Sequence, residues 1–251
     1  INYKNSNHQL MAILSSKAIV ISTIKYSDTS LIVRLYTKEV GLVSFLLKGI
    51  LKSKKGKLRT AYFQPLNQLL IIFSHQEKRN LQLLKEAQVI HVYETIYTSI
   101  IKQSIVLFLS EVLSSAIQEE ETNTLLYEYL EHSLIWLDSH EQISNFHLLF
   151  LLNLTKFLGF YPDVSQSNKN GFHLSEGFFT DNLQIKEVIK GNEINQFKKL
   201  LGINFDKIEY MNFSKTERQR LLQTLIRYFE LHLGGFRIPK SLAVLETVFS
   251  K

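Results

Sequence analysis

The hydrophobic pattern of the chain changes its period near Val92. Before this point, short runs rich in β-branched and aromatic residues are separated by turn residues, which is typical of antiparallel strands. After it, apolar residues recur at helical spacing and no Gly or Pro occurs before Gly159, which is typical of long helices. The sequence therefore predicts an α+β protein with a strand-rich N-terminal domain and an all-helical C-terminal domain.

The N-terminal pattern contains five strand-like runs, which read AIVISTIKY, SLIVRLYT, GLVSFLLKG, PLNQLLIIFS and NLQLLKEAQVI. Five antiparallel strands in about eighty residues are what a five-stranded OB-fold barrel requires. We therefore predict an OB-fold domain over residues 11–91 and a helical domain over residues 92–251. Residues 161–182 are rich in Pro, Gly, Asn and Ser, and they predict an irregular loop or hairpin insertion in the helical domain.

The two ends of the pattern carry further signals. Residues 1–10 are polar and lack the apolar segment of a secretory signal, so we expect them to be a tail or an expression remnant. Together with the absence of cysteine, this makes a cytoplasmic location the expectation. Near the other end, Ser214 and Glu217 have the spacing of a capping box, and the last long helix is predicted to stop at Gly234.

Positive charge is concentrated in the N-terminal part of the chain. Residues 1–90 contain 14 Lys and Arg against four Asp and Glu, a net charge of +10, whereas residues 91–251 have a net charge of −4. The densest part is residues 48–59, KGILKSKKGKLR, with six basic residues and no acid. Such a segment can be merely a solvated face, but it can also neutralise the phosphates of a nucleic acid. We favour the second interpretation and predict that the first domain binds nucleic acid.

The residues predicted to contact phosphates are Lys48, Lys52, Lys54, Lys55, Lys57 and Arg59, with Lys25 and Arg34 as further candidates on adjoining strands. Aromatic residues of the same domain are candidates for stacking on bases. These are Tyr26, Tyr36, Phe45, Tyr62, Phe63 and Phe73. Strand alternation can expose only some of them, so the alternative is that most are core residues.

Common active-site motifs are absent from the sequence. Gly49 and Gly56 do not begin a P-loop, because six residues separate them and Leu58 stands where Ser or Thr would bind magnesium. Without cysteine there is no thiol nucleophile, and the eight histidines lack the spacing of metal ligands. We predict no catalytic residue, no metal and no cofactor, and an enzyme with an unrecognised site remains an alternative.

Charges are also separated within the helical part. No Lys or Arg occurs between Lys102 and Lys156, a stretch with eight acidic residues, so this region is either a solvated face or a surface for a basic partner. The closing helices are instead rich in basic residues. Arg218, Arg227 and Arg237 are therefore candidates for binding an acidic peptide.

Several short segments carry a family pattern in their order along the chain. They are SDTSLIVRLYTKEVG in the first strands, the basic KGILKSKKGKLR, FQPL, KFLGFYP and LIRYFELHLG. In this order the segments resemble those of the RecO family of bacterial DNA-repair and recombination mediators. The resemblance extends over nearly the whole chain from Met11 onward.

The resemblance implies an OB-fold that binds single- and double-stranded DNA, and a non-enzymatic role in DNA repair. It implies that the protein anneals complementary strands and helps the recombinase RecA replace single-stranded-DNA-binding protein on DNA. The implied protein partners are RecR and the acidic, Phe-ended C-terminal tail of single-stranded-DNA-binding protein. Many members have a four-cysteine zinc module after the L-G-x-x-P segment. Because this chain has no cysteine there, a zinc-free loop or hairpin is implied.

Two other functions remain as alternatives. The first is an OB-fold adaptor that binds mainly protein or RNA, and indifference to DNA would favour it. The second is a protein that binds an anionic membrane surface. That function requires a basic amphipathic helix or a lipid anchor, whereas the basic run is predicted to be loop and strand, so no membrane partner is expected.

Overall fold

The chain folds into two compact units. In the computed structural model of the protein, the described residues are 12–52, 58–76, 79–117 and 121–249. The first unit contains residues 1–92 and 118–127, and the second contains residues 93–117 and 128–251. Residues 118–127, which the sequence pattern places in the helical domain, thus belong to the first unit. The predicted tail at residues 1–10 lies outside the described residues.

The first unit is built on a five-stranded antiparallel sheet, which confirms the strand prediction. Its strands are β1 (Ala12–Lys25), β2 (Leu31–Thr37), β3 (Gly41–Leu47), β4 (Gln68–His75) and β5 (Leu83–Val89), in the order β3-β2-β1-β4-β5. A short 3-10 helix, Thr60–Phe63, precedes β4. Alternate residues of the strands, among them Val33, Ile71 and Phe73, are fully buried in one apolar core. The rings of Phe45 and Phe73 meet edge to face in this core, 5.3 Å apart.

The two edge strands of the sheet, β3 and β5, approach each other at one point. Gln82, just before β5, donates its backbone N–H to Ser44 O at 2.8 Å, and Leu46 N–H donates to Gln82 O at 3.4 Å. In the described part of the unit, this isolated parallel bridge is the backbone connection between β3 and β5. The barrel predicted from the sequence is therefore an OB-fold-like sheet that is not closed, and partial opening is common in this fold.

Residues 122–127 cover one outer surface of this sheet. The Tyr36 hydroxyl donates to Asn123 O at 3.2 Å, and the Tyr36 ring stacks on Tyr127 with 6.5 Å between centroids. Thr122 Oγ1 donates to Glu39 O at 3.2 Å. As a result, Tyr36 is buried even though its strand neighbours in the core point to the opposite face.

The second unit is mainly helical, as predicted. Its helices are α1 (Ile100–Ala116), α2 (Thr124–Ser139), α3 (Phe146–Phe157), α4 (Asn192–Leu200), α5 (Phe205–Ile208), α6 (Lys215–His232) and α7 (Leu242–Val248), and the first residues of α2 belong to the first unit. The capping box of α6 is confirmed, because Ser214 Oγ accepts the Glu217 N–H at 3.3 Å and the Glu217 carboxylate accepts the Ser214 N–H at 2.8 Å. None of the helices in the described ranges has the length and apolar character needed to cross a bilayer.

A three-stranded antiparallel sheet occupies the region where the sequence predicts a loop or hairpin. Its strands are β6 (Gly171–His173), β7 (Phe178–Thr180) and β8 (Val188–Lys190), in the order β7-β6-β8. The strand β8 lies beyond the predicted insertion, so the second unit is not all-helical. Phe172 packs against Phe179, against Phe197 of α4 and against Tyr228 of α6, with ring centroids 5.0, 4.9 and 5.8 Å away.

Candidate nucleic-acid interface

The basic segment begins where β3 ends, and the basic side chains of its two described flanks are exposed. Lys48 and Lys52 form the first flank, and Arg59 lies on the second flank beside the 3-10 helix. The other predicted contacts of the segment, Lys54, Lys55 and Lys57, lie outside the described residues. Leu58 packs against the core of the sheet, which anchors the second flank.

The first flank is bonded to the loop between β1 and β2. Gly49 has a φ of +71°, a left-handed conformation that costs glycine no steric strain. The Gly49 N–H donates to Ser30 Oγ at 3.3 Å, and the Leu51 N–H donates to Thr29 O at 3.1 Å. These bonds place the start of the basic segment beside the β1–β2 loop.

The end of β1 contributes one cation next to this loop, and the loop itself contributes one exposed aromatic ring. Lys25 is exposed and forms a 3.5 Å ion pair with the exposed Asp28, a kind of pair that contributes little in water. Tyr26 is 61% exposed, whereas Tyr36, Phe45, Phe63 and Phe73 are at most 2% exposed. Tyr62 is partly buried against the core. The interpretation that most aromatic candidates are core residues is therefore correct, and Tyr26 is the described candidate with an accessible ring.

A groove opens between β3 and β5 next to the basic segment. Its volume is about 570 Å³, and Lys48, Arg79 and Lys85 line it together with leucine and isoleucine side chains. Cations beside apolar side chains suit a single strand of nucleic acid whose phosphates contact the lysines and arginine while its bases contact the apolar side chains. Arg79 and Lys85 were not among the predicted contacts, because their proximity to Lys48 depends on the approach of β3 to β5.

A second cavity, of about 230 Å³, shares Arg79 and Gln82 with the groove. Its other lining residues include Ser44 of β3 and His75 and Asn80 on either side of the undescribed residues 77–78. Arg79 therefore lies where the groove and this cavity meet.

Arg34 lies on the face of the first sheet that points away from the core. Its neighbours Val33 and Leu35 are core residues, and Ser22 of β1 and Ser44 of β3 lie opposite Arg34 in the strand register. Arg34 is partly buried, and this burial lowers the pKa of its guanidinium. Because Arg34 already interacts with other groups of the protein, it is a weaker candidate for a phosphate contact than the exposed lysines.

The three arginines predicted to bind a peptide lie in different surroundings. Arg227 pairs with Glu187 at 2.8 Å and with Glu230 at 3.4 Å, which compensates its charge. Arg218 donates Nη1 to a backbone oxygen at 2.6 Å, and the cavity beside it measures about 10 Å³, which is too small for a phenyl ring. Arg237 is exposed beyond the end of α6.

A larger cavity of the second unit has an aromatic lining. It measures about 440 Å³, and its lining includes Tyr129, Trp136, Phe157, Phe205 and Lys156. Trp136 and Phe205 are 5.3 Å apart, and Trp136 Nε1 has no hydrogen-bond partner among the described residues. Burial lowers the pKa of Lys156, whose ammonium lies 4.8 Å from the Tyr161 ring centroid. This cavity could not be predicted from the sequence, because no sequence pattern indicates α5, which carries Phe205.

Comparison with known families covers both units. A family model described as "Recombination protein O N terminal" matches residues 11–93, and one described as "Recombination protein O C terminal" matches residues 97–242. The chain belongs to the RecO family. Its relatives include proteins named "DNA repair protein RecO" from Christiangramia forsetii, 44% identical, and Flavobacterium psychrophilum, 45% identical, each over 237 residues, 94% of this chain and 99% of the relative. The protein of that name from Bacteroides fragilis is 35% identical over 235 residues, 92% of this chain and 97% of the relative.

Membership of the RecO family gives the chain a role in DNA repair and recombination. The zinc module implied for many RecO members does not fit this chain, because the sequence has no cysteine at all. Among the described residues, no three His, Asp or Glu side chains converge in a way that could hold a metal ion. Packing of Phe172 against α4 and α6 instead holds the small sheet in this region.

We predict that metal chelation leaves the stability of this RecO protein unchanged. A bound structural metal would raise the unfolding midpoint by mass action, and its removal would lower that midpoint. Thermal unfolding followed by circular dichroism, with and without a strong chelator, should therefore give the same midpoint. A stoichiometric metal in elemental analysis, lost together with several degrees of midpoint, would show that the region does hold a metal.

Proposed function

We propose that this RecO protein is a non-enzymatic mediator that binds DNA through the basic segment and the groove between β3 and β5. In this role it anneals complementary strands and helps load recombinase on DNA coated by single-stranded-DNA-binding protein. The observation that carries the proposal is the grouping of Lys48, Arg79 and Lys85 around one groove beside the basic segment, which leucine and isoleucine side chains also line. RecR is proposed as a partner on the strength of family membership alone.

The chemistry of this surface suits single strands and their annealing. Lysine and arginine side chains release condensed counterions when they neutralise phosphates, which gives affinity without sequence preference. The apolar side chains of the groove and the exposed ring of Tyr26 offer contacts to unpaired bases of any sequence. Neutralised phosphates on two bound strands repel each other less, so the same surface favours pairing of complementary strands.

The test is a titration of a fluorescent single-stranded oligonucleotide with the full chain at several salt concentrations. If about six phosphates are neutralised, the logarithm of affinity falls against the logarithm of salt concentration with a slope of roughly −4. An RNA oligonucleotide of the same sequence serves as the comparison. If the protein does not bind DNA, or if its affinity for DNA does not change with salt concentration, the proposal is contradicted. A clear preference for RNA would favour the alternative that the protein is an OB-fold adaptor.

A second proposed activity is the binding of an acidic, Phe-ended peptide in the aromatic cavity of the second unit. The resemblance to RecO implies such a peptide, the tail of single-stranded-DNA-binding protein. At about 440 Å³ the cavity accommodates a phenyl ring, which the cavity beside Arg218 does not. Lys156 supplies a cation, and the Trp136 ring, which lines the cavity, can pack against the phenyl ring of the peptide.

The fluorescence of Trp136 provides the measurement, because it is the single tryptophan of the chain. We expect the peptide to change this fluorescence with a dissociation constant of about a micromolar, and removal of its terminal Phe to abolish the change. Lys156→Ala should weaken binding several-fold, whereas Arg218→Ala, the matched change at the other cavity, should not. The reverse pattern would place the peptide beside Arg218, as the sequence pattern suggested.

A further inference from the structure

The side chain of Gln82 forms hydrogen bonds with the backbone of Gln76 and Arg79, which lie in the connection between β4 and β5. Gln82 is 5% exposed, and its Oε1 accepts the Gln76 N–H at 3.0 Å. Its Nε2 donates to Gln76 O at 2.9 Å and to Arg79 O at 2.6 Å. One buried amide therefore satisfies three backbone groups of this connection. Only a side chain that has an acceptor and two donors on one planar group can make all three bonds.

The backbone of the same residue joins this connection to the opposite edge of the sheet. The Gln82 N–H donates to Ser44 O, and Gln82 O accepts the Leu46 N–H, both on β3. Gln82 thus links the main chain of Arg79 to the strand that leads into the basic segment. Both cavities beside β3 are lined by Arg79 and by Gln82.

We propose that Gln82 is a positioning residue for DNA binding, which holds Arg79 where the groove and the second cavity meet. The proposal rests on the proposed DNA-binding function of this surface. Gln82 itself needs no contact with DNA, because its polar atoms are already used within the protein. Gln82 affects DNA binding only by holding the main chain of Arg79. Loss of the Gln82 amide should therefore lower the affinity for DNA only when the Arg79 guanidinium is present.

The experiment is a double-mutant cycle with Gln82→Met and Arg79→Ala, read out as affinity of the full chain for a single-stranded oligonucleotide. Methionine keeps the length and volume of glutamine but cannot form the three hydrogen bonds. Arg79→Ala alone should weaken binding about three- to five-fold and reduce the salt slope by roughly 0.7. Gln82→Met should reproduce most of both changes, and the double variant should bind no worse than Arg79→Ala. Gln88→Met, an exposed position on β5, is the matched control and should bind as the wild type does.

The outcomes separate this inference from the proposed function. Additive losses in the cycle, or unchanged affinity in Gln82→Met, would overturn the role of Gln82. If Arg79→Ala has no effect while Lys48→Ala weakens binding, the inference fails and the proposed function stands. If neither variant weakens binding, the DNA-binding function of the groove fails as well. Should Gln82→Met not fold, as judged by circular dichroism, Gln82→Asn replaces it in the same cycle, because its amide is too short to reach both Gln76 and Arg79.

Discussion

Replacing Lys52, Lys54, Lys55 and Lys57 together by alanine is expected to weaken binding of single-stranded DNA by about 100-fold at about 0.1 M salt. Each lost phosphate contact removes roughly 0.7 from the salt slope, so the slope should change from about −4 to about −1. The remaining affinity should come from Lys48 and the other cations of the groove. Fluorescence anisotropy at several salt concentrations measures both quantities.

The matched control for this variant removes four positive charges from the second unit. Lys186, Lys207, Arg220 and Lys240 are all exposed there, and their replacement by alanine changes the net charge of the chain by the same amount. If affinity depended only on net charge, the two variants would bind DNA equally weakly. We expect the control to keep most of the wild-type affinity and slope. Equal losses in the two variants would show that the basic segment has no special role.

Asp138→Ala is expected to have the largest effect on stability, about 3 kcal/mol. The Asp138 carboxylate is buried near the end of α2 and accepts the backbone N–H groups of Glu94, Thr95 and Ile96, each at 2.9 Å. Alanine removes the acceptor of all three donors, of which the Ile96 N–H is buried and the other two are partly buried, and a buried donor left without a partner costs about 1–3 kcal/mol. Asp138→Asn keeps one acceptor oxygen and should lose about half as much. Urea unfolding monitored by circular dichroism gives both values.

The stabilisation by Asp138 should also depend on pH. Burial by itself raises the pKa of Asp138, but the hydrogen bonds from residues 94–96 outweigh burial and hold the pKa below its ordinary value. A carboxyl with a lowered pKa stabilises the folded state above its ordinary pKa and loses this effect as the pH falls towards the lowered value. The stability difference between wild type and Asp138→Ala should therefore shrink below about pH 4. Glu176→Ala, which removes an exposed carboxylate of the same unit, is the control and should cost little. If the stability difference between wild type and Asp138→Ala stays constant down to pH 3, the Asp138 carboxylate does not stabilise the fold in this way.

The strands of the first unit and the long helices could be predicted because each repeats one pattern over many residues. β1 to β5 have at least seven residues each, enough for alternation of buried and exposed side chains to be visible. β6, β7 and β8 have three residues each, which is too short for any period. Their formation depends on contacts of Phe172 with Phe197 and Tyr228, which are distant in sequence. Similarly, α7 begins directly after Ser241, which is fixed by hydrogen bonds to Glu111 rather than by a local signal.

Only part of the candidate DNA-binding site could be predicted from the sequence. The basic segment could be found because its six cations lie within twelve residues and no acid interrupts them. Arg79 and Lys85 could not be grouped with Lys48 from sequence, because the bridge at Gln82 brings their strands together. The sequence gives no reason to distinguish Arg218, Arg227 and Arg237 from one another, yet Arg227 is paired with two glutamates in the structure.

The most direct test of the central claim is amide hydrogen exchange of the full chain with and without a single-stranded oligonucleotide, read by mass spectrometry. We expect DNA to slow amide exchange in three segments: residues 26–30 of the β1–β2 loop, residues 48–52 of the first flank of the basic segment, and residues 79–85, which line the groove. Exchange in β6 to β8 and α6 should stay the same. Slower exchange confined to residues 128–249, with the first unit unchanged, would contradict the account.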